Sequence, residues 1–409
     1  MNLHRHIQIA IGYFFIVALI GVLMRFYVVY PLPIVHKYML HAHSHVTILG
    51  WIQLGLTTLI YDVFLKEANK PKRYLLIFLF TNVTILGMLI TFPIQGYALF
   101  SIIFSTLFLF ASYWFTGFAI KNVSEKFENR FSWKLIKMAL FYLVISSIGP
   151  WAIGGVMATL GTETVWYKTS IYFYLHFQYN GWFVMALLGI LFYILEEKGI
   201  AFDSTKLKSF SWLLNTGILL SFFLSTLWFK PHGIIYIMGW IGATAQLMGF
   251  VEIFHLLFPK IVEIKRIFSS KLRLMLKIAA ALMILKLVMQ LMAAIPYYAS
   301  LVYVLKDFII GYLHLVFLGI IIPLMLVFLY YFKLINLSKK FIYAFIFTVA
   351  ATEIIIFYKA MALWLGWPFF ENYNLILALV SSLFLIVIGQ LLIENLRTSP
   401  NSKTSEISR

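Results

Sequence analysis

Three stretches of the chain share one spacing: His45-Val-Thr-Ile-Leu-Gly50-Trp51, His176-Phe-Gln-Tyr-Asn-Gly181-Trp182 and His314-Leu-Val-Phe-Leu-Gly319. Each is a histidine followed five residues later by a glycine, and the histidines stand 131 and 138 residues apart. With ten histidines and 23 glycines in 409 residues, chance produces that spacing about 0.6 times, so three in near-constant register mark a repeated architecture.

The medium in which the repeat is built follows from composition. Hydrophobic residues make up 62% of the chain and charged residues 11%, against about 25% charged in an ordinary soluble domain, which excludes a soluble globular fold. Apolar runs bounded by charge or by Gly and Pro give twelve candidate spans, near 7–29, 43–65, 74–94, 97–120, 135–158, 171–195, 208–228, 232–258, 275–298, 307–332, 341–363 and 373–395. The first run is too long for a signal-peptide core and is read as a span. The repeat histidines then fall in spans 2, 6 and 10. The expectation is an all-α integral membrane protein of twelve helices in three pseudo-repeats of four. Residues 1–396 form a single transmembrane domain, and the polar segment 397–409 is a disordered cytoplasmic tail.

The net charge of +17 sorts by loop. The two ends and the loops after even-numbered spans carry 23 lysines and arginines, counting Lys208 at the edge of span 7 with its loop; the loops after odd-numbered spans carry 4. That skew predicts both termini in the cytoplasm of a bacterial-type plasma membrane and makes the basic balance a matter of topology, with no nucleic-acid partner. It also gives the histidines a depth: His41, His43, His45, His176, His232 and His314 all lie toward the external face. The absence of cysteine excludes disulfides, thiolate metal sites and a cysteine nucleophile. Any metal or haem is therefore held by nitrogen or oxygen, and imidazole is the foremost candidate. Intramembrane histidine is costly unless paired and marks a functional site by default. The competing reading is that each repeat histidine bonds a neighbouring backbone carbonyl.

Twelve spans, cytoplasmic termini and a histidine layer on spans 2, 6 and 10 resemble the haem–copper oxidase subunit I superfamily over nearly the whole chain. His41-Ala42-His43-Ser44-His45 with Gly50-Trp51 is also similar to the second-span motif of the NnrS family of membrane haem proteins tied to nitric-oxide metabolism. The resemblance implies a b-type haem with His45 and His314 as axial pair. It makes His176 a ligand of copper or another second metal, with His232 just beyond the place where span 7 brings two more. His41, one turn from His45 on the same face, and Tyr312 are further haem candidates, and Arg25 could pair with a haem propionate or simply reach the headgroups. It further implies an oxidoreductase acting on oxygen or nitric oxide, fed by a quinol, a cytochrome or partner subunits. The chain departs from the family at three points. Span 7 has no histidine, span 10 reads Tyr312-Leu313-His314 where the family has two histidines, and Asn180 stands where copper-site oxidases place a tyrosine.

Two other readings stay open at this stage: an NnrS-like nitric-oxide-response or metal- and haem-handling protein without turnover, and a twelve-helix secondary transporter. Lys286, Lys359, Glu252 and Glu353 within spans indicate a proton path or a Lys–Glu pair.

Overall fold

The computed structural model describes residues 2–397; the expected disordered tail lies, but for its first residue, outside them. Twelve helices are long and apolar enough to cross a membrane: α1 Leu3–Tyr27, α2 His36–Ala68, α3 Pro71–Gln95, α4 Leu99–Asn122, α5 Phe131–Thr159, α6 Val165–Glu197, α7 Ser204–Phe229, α8 Gly233–Ile267, α9 Ser270–Ala293, α10 Lys306–Tyr331, α11 Lys339–Leu365 and α12 Tyr373–Arg397. Among the described residues there is no strand. The protein is an all-α, multi-pass membrane protein, and each expected span has its helix.

Burial separates these helices into two kinds. In α2, α6 and α10, 94%, 89% and 72% of the most apolar window is enclosed by protein, against 28–44% in the other nine. The three enclosed helices are the three that carry the His-to-Gly spacing. Each changes backbone form at that histidine. The α-helical turns end at His45, His176 and His314, and π-helical segments follow over Val46–Ile52, Phe177–Phe183 and Leu315–Ile321. A π turn links residue i to residue i+5, and it is rare outside functional sites. Five is the separation of histidine and glycine in the motif, so each pair spans one π turn.

The glycines admit the helix that precedes each enclosed one. A Cβ on Gly181 would meet the Tyr142 side chain of α5 at 2.6 Å, and one on Gly319 would meet Leu282 of α9 at 2.5 Å. On Gly50 it would lie 3.1 Å from the Tyr13 ring of α1. Tyr13 and Tyr142 are themselves a repeated pair. The Tyr13 hydroxyl donates to Asn82 Oδ1 on α3 (3.2 Å) and that of Tyr142 to Asn215 Oδ1 on α7 (2.8 Å). Each asparagine amide in turn donates to the carbonyl four residues back, Phe78 and Ser211.

Contacts divide the chain into two compact units. The first holds residues up to Ser124, Met325–Ala362 and the chain from Gly366, and the second holds Glu125–Leu324 with Leu363–Leu365. In the first, Trp51 stacks on Phe14 (5.0 Å) and Tyr61 on Tyr74 (3.9 Å). At one end of this unit Asn395 brackets Asn336, accepting from its amide at 2.7 Å and donating to its carbonyl at 3.1 Å, while His4 reaches the carbonyls of Leu334 and Asn395. In the second unit, α7 and α8 meet backbone to backbone at Gly217 and Gly242, the small-residue packing that substitutes for hydrophobic drive inside a membrane.

Outside the spans, Asp203 caps α7: its Oδ1 accepts from the amides of Thr205 (2.7 Å) and Lys206 (3.2 Å). The Lys206 amide first, and then that of Thr205, hold its carboxyl below the usual aspartate value. A depressed folded-state value contributes stability that is present above the unfolded pKa and is lost as pH falls through the folded one. Asp203→Ala therefore lowers the thermal midpoint slightly at neutral pH, and the gap to wild type closes on acidification, which melting curves across a pH series will read.

Candidate functional site

The histidines of α2 sort by helical face. His41 and His45, four residues apart, meet the same two rings: His41 lies 4.6 Å from Tyr97 and 5.9 Å from Phe92, and His45 lies 5.7 and 4.4 Å from them. His43 points to α1, with Nδ1 3.1 Å from the Val17 carbonyl. His45 Nδ1 donates to the His41 carbonyl at 2.9 Å, since a carbonyl can only accept. Its Nε2 then carries the lone pair, and the Tyr97 hydroxyl donates to it at 2.9 Å. Tyr97 reaches this place because Gly96 (φ +62°) turns the chain between α3 and α4, its missing Cβ leaving room for the Tyr38 ring. The sequence reading did not single out Tyr97; the Gly-Tyr turn between two spans was its only trace.

The second cluster belongs to the second unit and centres on Asn180. His176, 2% exposed, donates from Nε2 to the Ile218 carbonyl of α7 (2.8 Å) and accepts at Nδ1 from the Asn180 amide (3.2 Å). Asn180 Oδ1 accepts from Lys286 Nζ of α9 at 2.6 Å and from Gln246 Nε2 of α8 at 3.4 Å. The Tyr179 ring meets that of Tyr312 of α10 edge-on, 6.2 Å between centroids. Three helices, α6, α8 and α9, thus meet on one amide, and His176 ties α7 to it. The residue that departs from the family pattern is the hub, and Lys286 bonds an amide oxygen.

The remaining candidates are placed as follows. His314 is half-buried at the end of the α-helical part of α10 and belongs to the second unit, whereas His45 belongs to the first. His232 is exposed and caps α8, its Nδ1 accepting from the Ile234 amide at 3.4 Å. Arg25 sits in the last turn of α1, where its charge acts on His43 and on Glu353 of α11. Lys359 lies over the Tyr373 ring.

Two groups can be tested against these residues. His45 fits a haem iron ligand: its Nδ1–H is fixed by a carbonyl, the arrangement that orients Nε2 toward a metal. Tyr97 holds that nitrogen and has to swing aside. His176 does not fit a copper ion. Both ring nitrogens are engaged, the lysine amine lies one residue beyond, and among the described residues no three His, Asp or Glu side chains converge. The sequence matches no protein-family model and no curated protein.

Proposed function

We propose that this is a membrane haem protein of oxidase-like architecture, with both termini cytoplasmic, in which His45 on α2 ligates a b-type haem. The observation that carries the reading is the threefold coincidence of histidine, π turn and enclosed helix. A π segment in one helix is a local accident; the same segment at the same point of every third of the chain is a built feature. When bound, the haem would supply one-electron chemistry and affinity for a diatomic gas such as oxygen or nitric oxide. The chain supplies orientation: the His41 carbonyl fixes the tautomer of His45, and Phe92 packs the ring at 4.4 Å.

Protein purified from haem-replete cells is expected to show a b-type Soret band and, on reduction, an α band, and His45→Ala reduces the bound haem at least tenfold. A folded, colourless preparation overturns the reading. Tyr97→Phe frees Nε2 and keeps the haem.

The Asn180 hub favours a second reading within the same class: gas response or haem handling without turnover. Where an oxidase needs several imidazoles around copper, this unit places one imidazole, two amides and a lysine. Steady-state consumption of oxygen or nitric oxide by the purified, reduced protein is the measurement that excludes it.

A further inference from the structure

The second unit contains a cavity of about 210 Å³, walled by α6, α7, α9, α10 and the short helix Pro296–Val304. Along α6 it runs from Tyr172 to Tyr179, about 10 Å of helical rise. At one end the Tyr172 ring meets that of Trp228, 6.5 Å between centroids, and at the other Tyr179 meets Tyr312. The Trp228 end is the outer one: Tyr303, stacked on Trp228 at 5.2 Å, is 37% exposed. Lys168 stands at that end. It precedes Tyr172 by four residues on the same face of α6, and its Nζ lies 5.2 Å from the Trp228 ring centroid and 5.7 Å from that of Tyr303. Among the described residues no carboxylate lies within ion-pair distance of it. An apolar cavity thus ends at a cation whose counter-charge the protein does not supply.

We propose that this cavity binds an unbranched monocarboxylate of about eight carbons, the medium-chain fatty-acid class, with its carboxylate on Lys168. Volume, length, shape and charge each narrow the choice. A dry cavity of about 150 Å³ accepts the six carbons of benzene, so 210 Å³ holds about eight. A two-chain phospholipid is several times too large. An extended chain advances about 1.2 Å per bond, so eight carbons span about 8 Å and fill the wall from Tyr172 to Tyr179. A flat ring finds no platform, because Trp228 and Tyr303 are stacked on each other and Lys168 lies over the pair. No Lys, Arg, Asp or Glu lines the cavity, and the one imidazole there, His176, has both nitrogens engaged. The enclosed part of the ligand is therefore neutral, and its charge stays at the rim with the ammonium group. Leu224, Met289 and Ile309 line the cavity and suit an alkyl chain. Each methylene withdrawn from water tightens binding about fourfold, so affinity rises steeply with chain length until the cavity is full.

The test is a ligand-observed NMR titration of the full chain in phosphatidylcholine nanodiscs, with empty discs as the blank, using sodium octanoate, sodium butanoate and 1-octanol. The expected result is one saturable octanoate site, with butanoate at least tenfold and 1-octanol at least fivefold weaker. Lys168→Gln loses fivefold or more, Lys168→Arg stays near wild type, and Ala293→Leu, which adds side-chain volume to the wall, does not bind. Lys168 is exposed, so its replacement leaves the fold intact. Failure of octanoate to saturate on folded wild type overturns the proposal. So does 1-octanol binding as tightly as octanoate, which marks a lipid-filled void, or unchanged affinity in Lys168→Gln, which marks a chain site without an anion. The proposal does not rest on the haem reading, because its readout is the ligand signal: a colourless protein that binds octanoate refutes one and leaves the other standing.

Discussion

Asn180→Leu is expected to destabilise the protein by about 3 kcal/mol, and adding Lys286→Met to that variant to recover most of the loss. The Lys286 side chain is 1% exposed, and its nitrogen donates to Asn180 Oδ1 at 2.6 Å. Stranding a buried donor by removing its acceptor costs about 1–3 kcal/mol and more when the donor is charged, whereas replacing both partners with apolar groups of similar shape can be nearly neutral. Leucine deletes the acceptor and also the donor to His176 Nδ1. Methionine then removes the stranded amine while filling nearly the same volume. Lys286→Met alone is milder, since Asn180 Oδ1 keeps the Gln246 amide at 3.4 Å. Unfolding midpoints of the four proteins, followed by tryptophan fluorescence in one detergent, give the coupling directly. A double variant no more stable than Asn180→Leu would show that Lys286 is satisfied elsewhere, and the hub would not be the unit's polar anchor.

The spans were legible because hydropathy is a long signal: each runs over twenty or more residues and tolerates errors of several at its ends. The His-to-Gly spacing was legible as arithmetic, but its structural meaning was not. A separation of five fits no α-helical face, and only the π segments explain why that number recurs. The Tyr13–Asn82 and Tyr142–Asn215 pairs escaped notice because each joins two helices and leaves no contiguous motif. Their repeat is incomplete: Leu282 packs where the tyrosines do, and Glu353 stands 39 residues after His314, as Asn215 stands 39 after His176. Asn180 was visible in the sequence only as a missing tyrosine. Its role as hub depends on Lys286 and Gln246 arriving from two other helices, which no local pattern encodes. Lys286 drew attention as a buried charge, with a proton path or a glutamate partner as the alternatives, and its partner in the fold is an amide.

That packing is most exacting where α7 meets α8, and there Gly242→Ala is expected to cost at least about 2 kcal/mol and Gly242→Leu to abolish folded protein. A Cβ at 242 would sit 2.1 Å from the Ser221 amide nitrogen and 2.3 Å from the Leu220 carbonyl carbon. These are backbone atoms inside a helix and cannot rotate away as a side chain would, so the helices must separate. Overpacking a well-packed interface costs about 1–3 kcal/mol and occasionally more, and here the same face carries a second approach, Gly217 against the Gln246 amide at 2.5 Å. Separation would therefore break both contacts together. The appropriate control is Gly155→Ala on α5, where nothing lies within 4 Å of the added carbon. There helix propensity alone acts, and alanine gains up to about 1 kcal/mol. Opposite signs for the same chemical change, read as thermal midpoints and yields of monodisperse protein, would tie the effect to the helix contact. A mild effect at 242 would mean that α7 and α8 can slide apart without loss.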